Sequence, residues 1–280
     1  MASVKKYDIS YKVIIWVITA LVGFLILFPL FWIFTSSITP ESELFKTPID
    51  YIPDHPTLEN YIRLFRDCGL AEKLVNTFTI TIPAILINVL VCMMAAYGFA
   101  RHDSRGLTIA YSLIVFSIMV PAVVKARPLF TFFKAVKLYD TIPGLIILYC
   151  SNLIPFSMVI LCGFLKDIPV SMDEAATIDG ANTFEKLMYV IIPLMRPAIA
   201  TILMINFISC LNDLFTPLFY ASRIQTLSVA ITTLPSLDGY SIPWELVSSM
   251  GCVIIVPIII FVSIFQRQIM DGIMAGGVKA

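Results

Sequence analysis

Long apolar segments without charged residues alternate along the chain with shorter polar ones. A transmembrane helix needs about 20 consecutive, mostly apolar residues. Six segments fit this requirement when the fifth is continued across the lone Asp213. The pattern therefore predicts an all-α, polytopic membrane protein, a single transmembrane domain over 1–280, with spans at about residues 13–38, 74–100, 106–126, 141–165, 197–220 and 246–266.

Prolines occur inside five of these predicted spans: Pro29, Pro83, Pro121, Pro155 and Pro257. Membrane helices tolerate proline because neighbouring helices can satisfy the backbone groups that it frees. The sequence leaves two interpretations open, ordinary packing kinks and kinks that serve a moving protein.

Composition supports a lipid environment. The chain is 59% hydrophobic and 14% charged, with a mean hydropathy of +0.90, whereas soluble domains have about 25% charged residues. The formal net charge is zero, so no basic field favours binding to nucleic acid.

The residue types needed for an enzyme or metal site are scattered. His55 and His102 lie in different predicted loops, and five of the six cysteines fall inside apolar segments. The chain has no Gly-x-x-x-x-Gly-Lys-[Ser/Thr] phosphate loop, so it is not expected to hydrolyse ATP by that route. We predict no catalytic residue, metal site or cofactor on this chain.

Orientation in the membrane stays open from charge alone. An even number of spans places both termini on the same side. The 19 Lys and Arg residues divide almost equally between the two sides, so the preference of basic residues for the cytoplasmic side hardly discriminates.

A polar interruption at 167–196 separates the fourth and fifth predicted spans. Ser171 and Glu174 have the spacing of a capping box at a helix start, and Asn182 and Glu185 repeat it. Gly180, between the two, suits a left-handed helix end. The spacing predicts two short helices joined by a turn, outside the bilayer.

Apolar residues recur at helical intervals in this interruption: Met172, Ile178, Phe184, Leu187 and Met188. They are suited to docking on a partner, with Ala175 and Ala176 allowing close approach. They would equally serve to pack the loop back on its own bundle. The residues alone do not choose between these interpretations.

The motif Glu174-Ala175-Ala176, then Gly180, then Val190-x-Ile192-Pro193 resembles the EAA loop of ABC importer permeases. Val190 and Ile192 are conservative departures from that pattern. Further stretches make the chain similar to the shorter of the paired permeases in carbohydrate importers of the maltose-transporter type: Ala96-Tyr97-Gly98-Phe99-Ala100-Arg101, Asp179-Gly180-Ala181, Leu211-Asn212-Asp213 and Ala275-Gly276-Gly277-Val278-Lys279.

The resemblance implies one permease subunit of an ATP-driven sugar importer, with no enzyme activity of its own. It implies a second permease, an ATPase dimer that carries ATP and Mg, and an extracytoplasmic solute-binding protein as partners. The loop 167–196 and both termini would be cytosolic, in a bacterial or archaeal cytoplasmic membrane. The expected ATPase-coupling residues are Glu174, Ala175, Ala176, Asp179, Gly180, Ala181, Phe184 and Pro193.

The resemblance also suggests that the C-terminal tail, Gly276, Gly277, Val278 and Lys279, reaches the ATPase dimer. A free terminus is the alternative.

The candidate substrate path rests on polar residues inside predicted spans: Asn212, Asp213, Asn152 and Asn88. A charge at the bilayer centre is costly and must face protein or water. Asp213 therefore either lines the path or lies at the outer helix end, capping it or pairing with the second permease.

Two other functions remain as alternatives. The first is an importer of the same class for a glycerol-phosphate type of solute. The second is a secondary transporter or channel acting alone, which normally uses broken helices and ion-binding carboxylates near the midplane. A single aspartate within the predicted spans fits that second alternative poorly.

Overall fold

The computed structural model describes residues 9–48, 50–235 and 242–277, and within them every regular element is a helix. The chain forms two compact units, one of residues 1–69 and 234–253, the other of residues 70–233 and 254–280. The first unit contains the helices α1 (Ile9–Ser37), α2 (Glu41–Leu44) and α3 (Glu59–Arg66). It also contains the start of the last helix of the chain.

The second unit contains the remaining helices and most of the core. They are α4 (Leu70–Arg101), α5 (Arg105–Phe116), α6 (Ala122–Ala135), α7 (Ile142–Asp167), α8 (Val170–Ile178), α9 (Thr183–Glu185), α10 (Ile192–Leu194), α11 (Arg196–Asn212), α12 (Phe215–Tyr220) and α13 (Leu227–Ala230). The last helix, α14 (Trp244–Gly277), begins in the first unit and ends in the second. A π-helical turn occupies Lys186–Ile191, and 3₁₀ turns occupy Ser117–Met119 and Ile231–Thr233.

Four helical segments are long and apolar enough to cross a membrane, Tyr11–Ser37, Leu70–Arg101, Ile142–Asp167 and Trp244–Gln266. Two bent helix pairs bring the possible number of spans to six. The all-α, multi-pass fold is therefore confirmed. The boundary of a single domain stays a prediction.

The third and fifth predicted spans differ from continuous helices. Arg105–Met119 and Ala122–Ala135 bend by 107° at Val120 and Pro121, because the proline ring removes a backbone donor and collides with the preceding turn. The helix α11 ends at Asn212, where Asp213 turns to an extended backbone. It bends by 77° from the segment Thr183–Leu194 that precedes it.

In the first unit, the last carbonyl groups of α1 are satisfied by side chains. The buried amide of Asn60 donates to the carbonyl oxygens of Ser37 and Thr39, at 2.9 and 3.0 Å. The hydroxyl of Ser249 donates to the same Ser37 oxygen at 3.0 Å. Helix ends leave such carbonyls without an intrahelical partner, so these contacts fix where α1 stops.

In the second unit, α4 packs along α7 with apolar side chains, and a buried polar cluster crosses this contact. Asn88 of α4, Ser157 of α7 and Asn206 of α11 are all at most 1% exposed. The Asn206 amide nitrogen donates to the Asn88 Oδ1 at 2.9 Å, and the Ser157 hydroxyl donates to the same oxygen at 2.8 Å. Hydrogen bonds of this kind hold membrane helices together.

A carboxylate fixes the segment before α7 to the one after α12. Asp140 Oδ1 accepts the backbone N–H groups of Ser222, Arg223 and Ile224 at 2.9–3.2 Å, and Oδ2 accepts the Arg223 guanidinium at 2.9 Å. Burial alone would raise the pKa of Asp140, but these hydrogen bonds outweigh it and lower the pKa to about 2. The carboxylate therefore stays charged, and this contact stays formed, at physiological pH.

Candidate functional site

The polar interruption folds as predicted in outline, but its first helix starts differently. Helix α8 begins at Val170 after Pro169, and no side chain caps it. The expected capping box of Ser171 and Glu174 is therefore wrong. Pro169 has an extended backbone and starts the helix two residues earlier than a Ser171 cap would, so Ser171 is already inside the first turn and cannot act as its cap.

The end of α8 and the start of α9 follow the predicted chemistry. Gly180 has a left-handed backbone, with φ of +87°. The Ala181 N–H donates to the Ala176 carbonyl at 2.9 Å, and the Gly180 N–H to the Thr177 carbonyl at 3.0 Å, which is the Schellman pattern of a helix end. Asn182 and Glu185 form a complete capping box. The turn between α8 and α9 is therefore fixed by local hydrogen bonds.

The tip of this segment exposes apolar side chains. Ile178 is 86% exposed, Phe184 65% and Tyr189 78%, and Met172 and Met188 are also exposed. We call these five residues the exposed apolar set. Leu187, the remaining member of the predicted apolar face, is instead buried against the bundle. One side chain of the predicted face therefore packs inward and the others face solvent, and their docking on a partner stays a prediction.

The remaining predicted coupling residues differ in their exposure. Glu174, Ala175, Asp179 and Gly180 are exposed, Ala181 and Pro193 are half-buried, and Ala176 is buried. A Cβ atom added at Gly180 would meet no atom within 4 Å. The surface around Gly180 is therefore open to a partner.

The base of the segment is held by an apolar cluster. Leu187, Ile191 and Met195 pack with residues of α4 and α7, among them Met93, Ala96, Met158 and Leu161. The exposed tip is therefore attached to a base that packs in the core of the bundle.

A buried ion pair joins α8 to the end of α4. The Asp173 Oδ2 accepts the Arg101 Nε at 2.9 Å, and the Asp173 Oδ1 accepts the Tyr97 hydroxyl at 2.9 Å. The Arg101 and Asp173 side chains are only 7% and 10% exposed. A second Arg101 nitrogen donates to the Ile168 carbonyl at 3.0 Å. Sequence reasoning did not select Asp173, although its position three residues before buried Ala176 places both on the inner face of α8.

Two of the four candidate path residues share a cavity. A cavity of about 430 Å³ is lined by Asn152 and Asp213, together with Tyr149, Phe156, Asn206 and Ser209. A second cavity of about 810 Å³, which includes Lys125, also touches Asn152 and Phe156. The α7 face of Asn152 and Phe156 therefore borders both.

The other two path residues lie elsewhere. Asn88 is fully buried and is engaged by Ser157 and Asn206. Asn212 is exposed at the end of α11 and does not line the cavity. The structure thus brings together Asn152 and Asp213 but not the full predicted set.

Asp213 also has a local role at the helix end. Its Oδ1 accepts the Thr216 N–H at 3.0 Å, and Asn152 donates to the Thr216 hydroxyl at 3.2 Å. The residue therefore caps the turn after α11, as one of the two sequence interpretations expected, and borders the cavity as well. In the tail, Gly276 and Gly277 end α14, whereas Val278 and Lys279 lie outside the described residues.

Comparison with known proteins gives a consistent result. The chain is 32% identical over 255 residues to the sulfoquinovosyl glycerol transport system permease protein SmoH of Agrobacterium fabrum, covering 90% of this chain and 89% of SmoH. It is 33% identical over 263 residues to the trehalose transport system permease protein SugB of Mycobacterium tuberculosis, and the match covers 93% of this chain and 95% of SugB.

A solved structure shares the fold. The crystal structure of a bacterial ABC transporter involved in the import of the acidic polysaccharide alginate matches with a TM-score of 0.79 at 23% identity, covering 95% of this chain and 99% of that chain. Residues 87–273, more than half of the chain, match the family of the binding-protein-dependent transport system inner membrane component. The chain belongs to this family of membrane permeases.

Proposed function

We propose that this chain is one of two permease subunits of an ATP-driven importer for a sugar or oligosaccharide. The main support for the proposal is the structure of the segment 167–196. Its tip exposes apolar side chains, and its base packs against the bundle. Such a tip suits docking on a partner, because the burial of exposed apolar side chains at an interface is favourable. The names of the relatives SmoH and SugB support a saccharide or glycoside as the solute.

Two observations support the proposed partners: the sequence has no phosphate loop, and the family is described as binding-protein-dependent. The chain has no phosphate loop, so ATP and Mg would be held by an ATPase dimer docked at the exposed apolar set. The family is described as binding-protein-dependent, which supports an extracytoplasmic solute-binding protein. A second permease would complete the pathway. This arrangement makes the segment 167–196 and both termini cytosolic, in a bacterial or archaeal cytoplasmic membrane.

The mechanism we infer is alternating access. ATP binding draws the two ATPase subunits together, and residues 174–180 carry that movement into the helices. The cavity between the two permeases then opens outward to receive the solute, and hydrolysis resets it. On this chain the Asn152 amide and the Asp213 carboxylate supply hydrogen-bonding groups for solute hydroxyls, and Tyr149 and Phe156 supply apolar faces.

The glycerol-phosphate alternative is less well supported. Neither Lys nor Arg lines the cavity around Asp213 in the part of the chain that the structure describes, whereas phosphate recognition generally relies on cationic side chains. The only basic residue of the adjoining cavity is Lys125 among the described residues. A neutral, hydroxyl-rich solute fits the carboxylate better.

The experiment that tests the function uses the chain purified with its partners. The tagged chain is isolated in mild detergent, reconstituted in liposomes with its solute-binding protein, and assayed for ATP hydrolysis with maltose, trehalose or glycerol 3-phosphate. We expect a second permease and an ATPase to co-purify, and a saccharide to stimulate hydrolysis. A chain that purifies alone and transports without ATP would contradict the proposal, and stimulation by glycerol 3-phosphate alone would favour the alternative solute.

Replacing Gly180 tests the docking surface. Gly180→Arg places a long charged side chain in open space beside the exposed apolar set, and we expect it to reduce ATP-driven uptake without lowering the amount of protein in the membrane. Gly180→Asn is the matched control, because asparagine tolerates the left-handed backbone. Uptake is measured in vesicles at equal expression. Normal uptake by Gly180→Arg would show that this surface does not couple to the ATPase.

Replacing Asp213 separates its two roles. In Asp213→Asn an amide oxygen can still cap the Thr216 N–H, but the charge is lost. Hydrogen bonds to charged groups are worth about 1.5–3 kcal/mol, so we expect solute-dependent uptake to fall about tenfold or more, with unchanged expression. Asp213→Ala removes the cap as well. If Asp213→Asn transports normally and only Asp213→Ala fails, Asp213 has a structural role alone.

A further inference from the structure

Both carboxylate oxygens of Asp173 accept hydrogen bonds from the end of α4. One carboxylate receives a guanidinium N–H on one oxygen and the Tyr97 hydroxyl on the other, both at 2.9 Å. Replacing a buried ion pair with apolar residues is often neutral or stabilising, so a buried pair is weak evidence of added stability. What these two directed hydrogen bonds provide, and an apolar contact does not, is a defined position of α8 against α4.

The guanidinium of Arg101 also joins a third element. It donates at 3.0 Å to the carbonyl of Ile168, in the connection between α7 and α8. The end of α4, the end of α7 and the inner face of α8 therefore meet at a single side chain. A displacement of α8 relative to α4 would break at least two charge-assisted hydrogen bonds in a site that water hardly reaches.

Helix α4 continues from this contact towards the cavity. Asn88 lies 13 residues before Arg101 on the same helix, which corresponds to about 20 Å along its axis. No proline interrupts α4 between these residues. Asn88 is bonded to Asn206, and Asn206 lines the cavity that contains Asp213. The route therefore consists of buried hydrogen bonds at both ends of one helical segment of α4.

We propose that Asp173, Arg101 and Tyr97 are the positioning residues that make α8 and α4 move as one body, so that motion of the docked ATPase reaches the cavity through α4. The proposal rests on the proposed function and deepens it. The ATPase would move the exposed apolar set, and the buried ion pair would transfer this movement from α8 to α4. The hydrogen bonds of Asn88 to Ser157 and Asn206 would then transfer it to α7 and α11. The ion pair thereby determines how much transport each hydrolysis cycle produces.

The test uses the complete reconstituted transporter and measures the ratio of solute uptake to ATP hydrolysis. Asp173→Asn keeps the shape and a hydrogen-bond acceptor but removes the charge. Coupling free energies between sites correspond to about 5- to 150-fold effects, so we expect the ratio to fall about tenfold while the protein and its ATPase still co-purify. Asp173→Glu should recover part of the ratio. A purely structural role would lower the amount of protein and leave the ratio unchanged.

A double-mutant cycle with Arg101→Gln shows whether the two residues act together. We expect Asp173→Asn with Arg101→Gln to be no worse than either single variant, because contacting residues are not additive. The matched controls are Asp103→Asn and Arg105→Gln, which are exposed residues next to the end of α4. These controls should leave the ratio unchanged.

The outcomes are distinguishable. An unchanged ratio in Asp173→Asn, or additive effects in the cycle, would overturn the proposal. If Asp173→Asn fails to accumulate, Tyr97→Phe decides, because it removes one hydrogen bond and leaves the ion pair. A lowered ratio in Tyr97→Phe supports the proposal, and an unchanged one overturns it. Failure of the wild-type complex to show ATP-driven uptake would instead count against the proposed function.

Discussion

Hydrocarbon offers no hydrogen bonds, and this constraint governs how the whole chain is built. Within the described residues every regular element is a helix, which satisfies its own backbone. Buried polar side chains on different helices bond to one another, as Asn88 does with Ser157 and Asn206. Because such groups are costly to leave unpaired, each pair specifies one arrangement of the helices that carry it.

The segment 167–196 combines a packed base with an accessible tip. Leu187, Ile191 and Met195 fix the base in the bundle, whereas Ile178, Phe184 and Tyr189 face solvent. A purely mobile loop would not transmit a partner's movement to the bundle, and a fully packed segment would expose no surface for a partner to bind. The combination suits the transfer of force, which is the role that we propose for it in an ATP-driven permease.

Much of this was predictable from local rules. Apolar length predicted the membrane helices, and the Asn182–Glu185 spacing and Gly180 predicted a helix start and a helix end that depend only on neighbouring residues. Contacts between distant segments were not predictable. The partner of Asp173 lies 72 positions away. The Ser171 cap was wrong because the preceding Pro169 started the helix first.

Photo-cross-linking from the tip of this segment tests most directly whether the tip docks on an ATPase. Phe184, an exposed aromatic residue, is replaced by p-benzoyl-phenylalanine in the tagged chain, and Phe45, equally exposed in the first unit, serves as the matched control position. After irradiation of intact cells, we expect a cross-link from position 184 to an ATPase subunit and none to it from position 45. Equal labelling of the ATPase from both positions, or labelling of lipid alone from position 184, would contradict this docking.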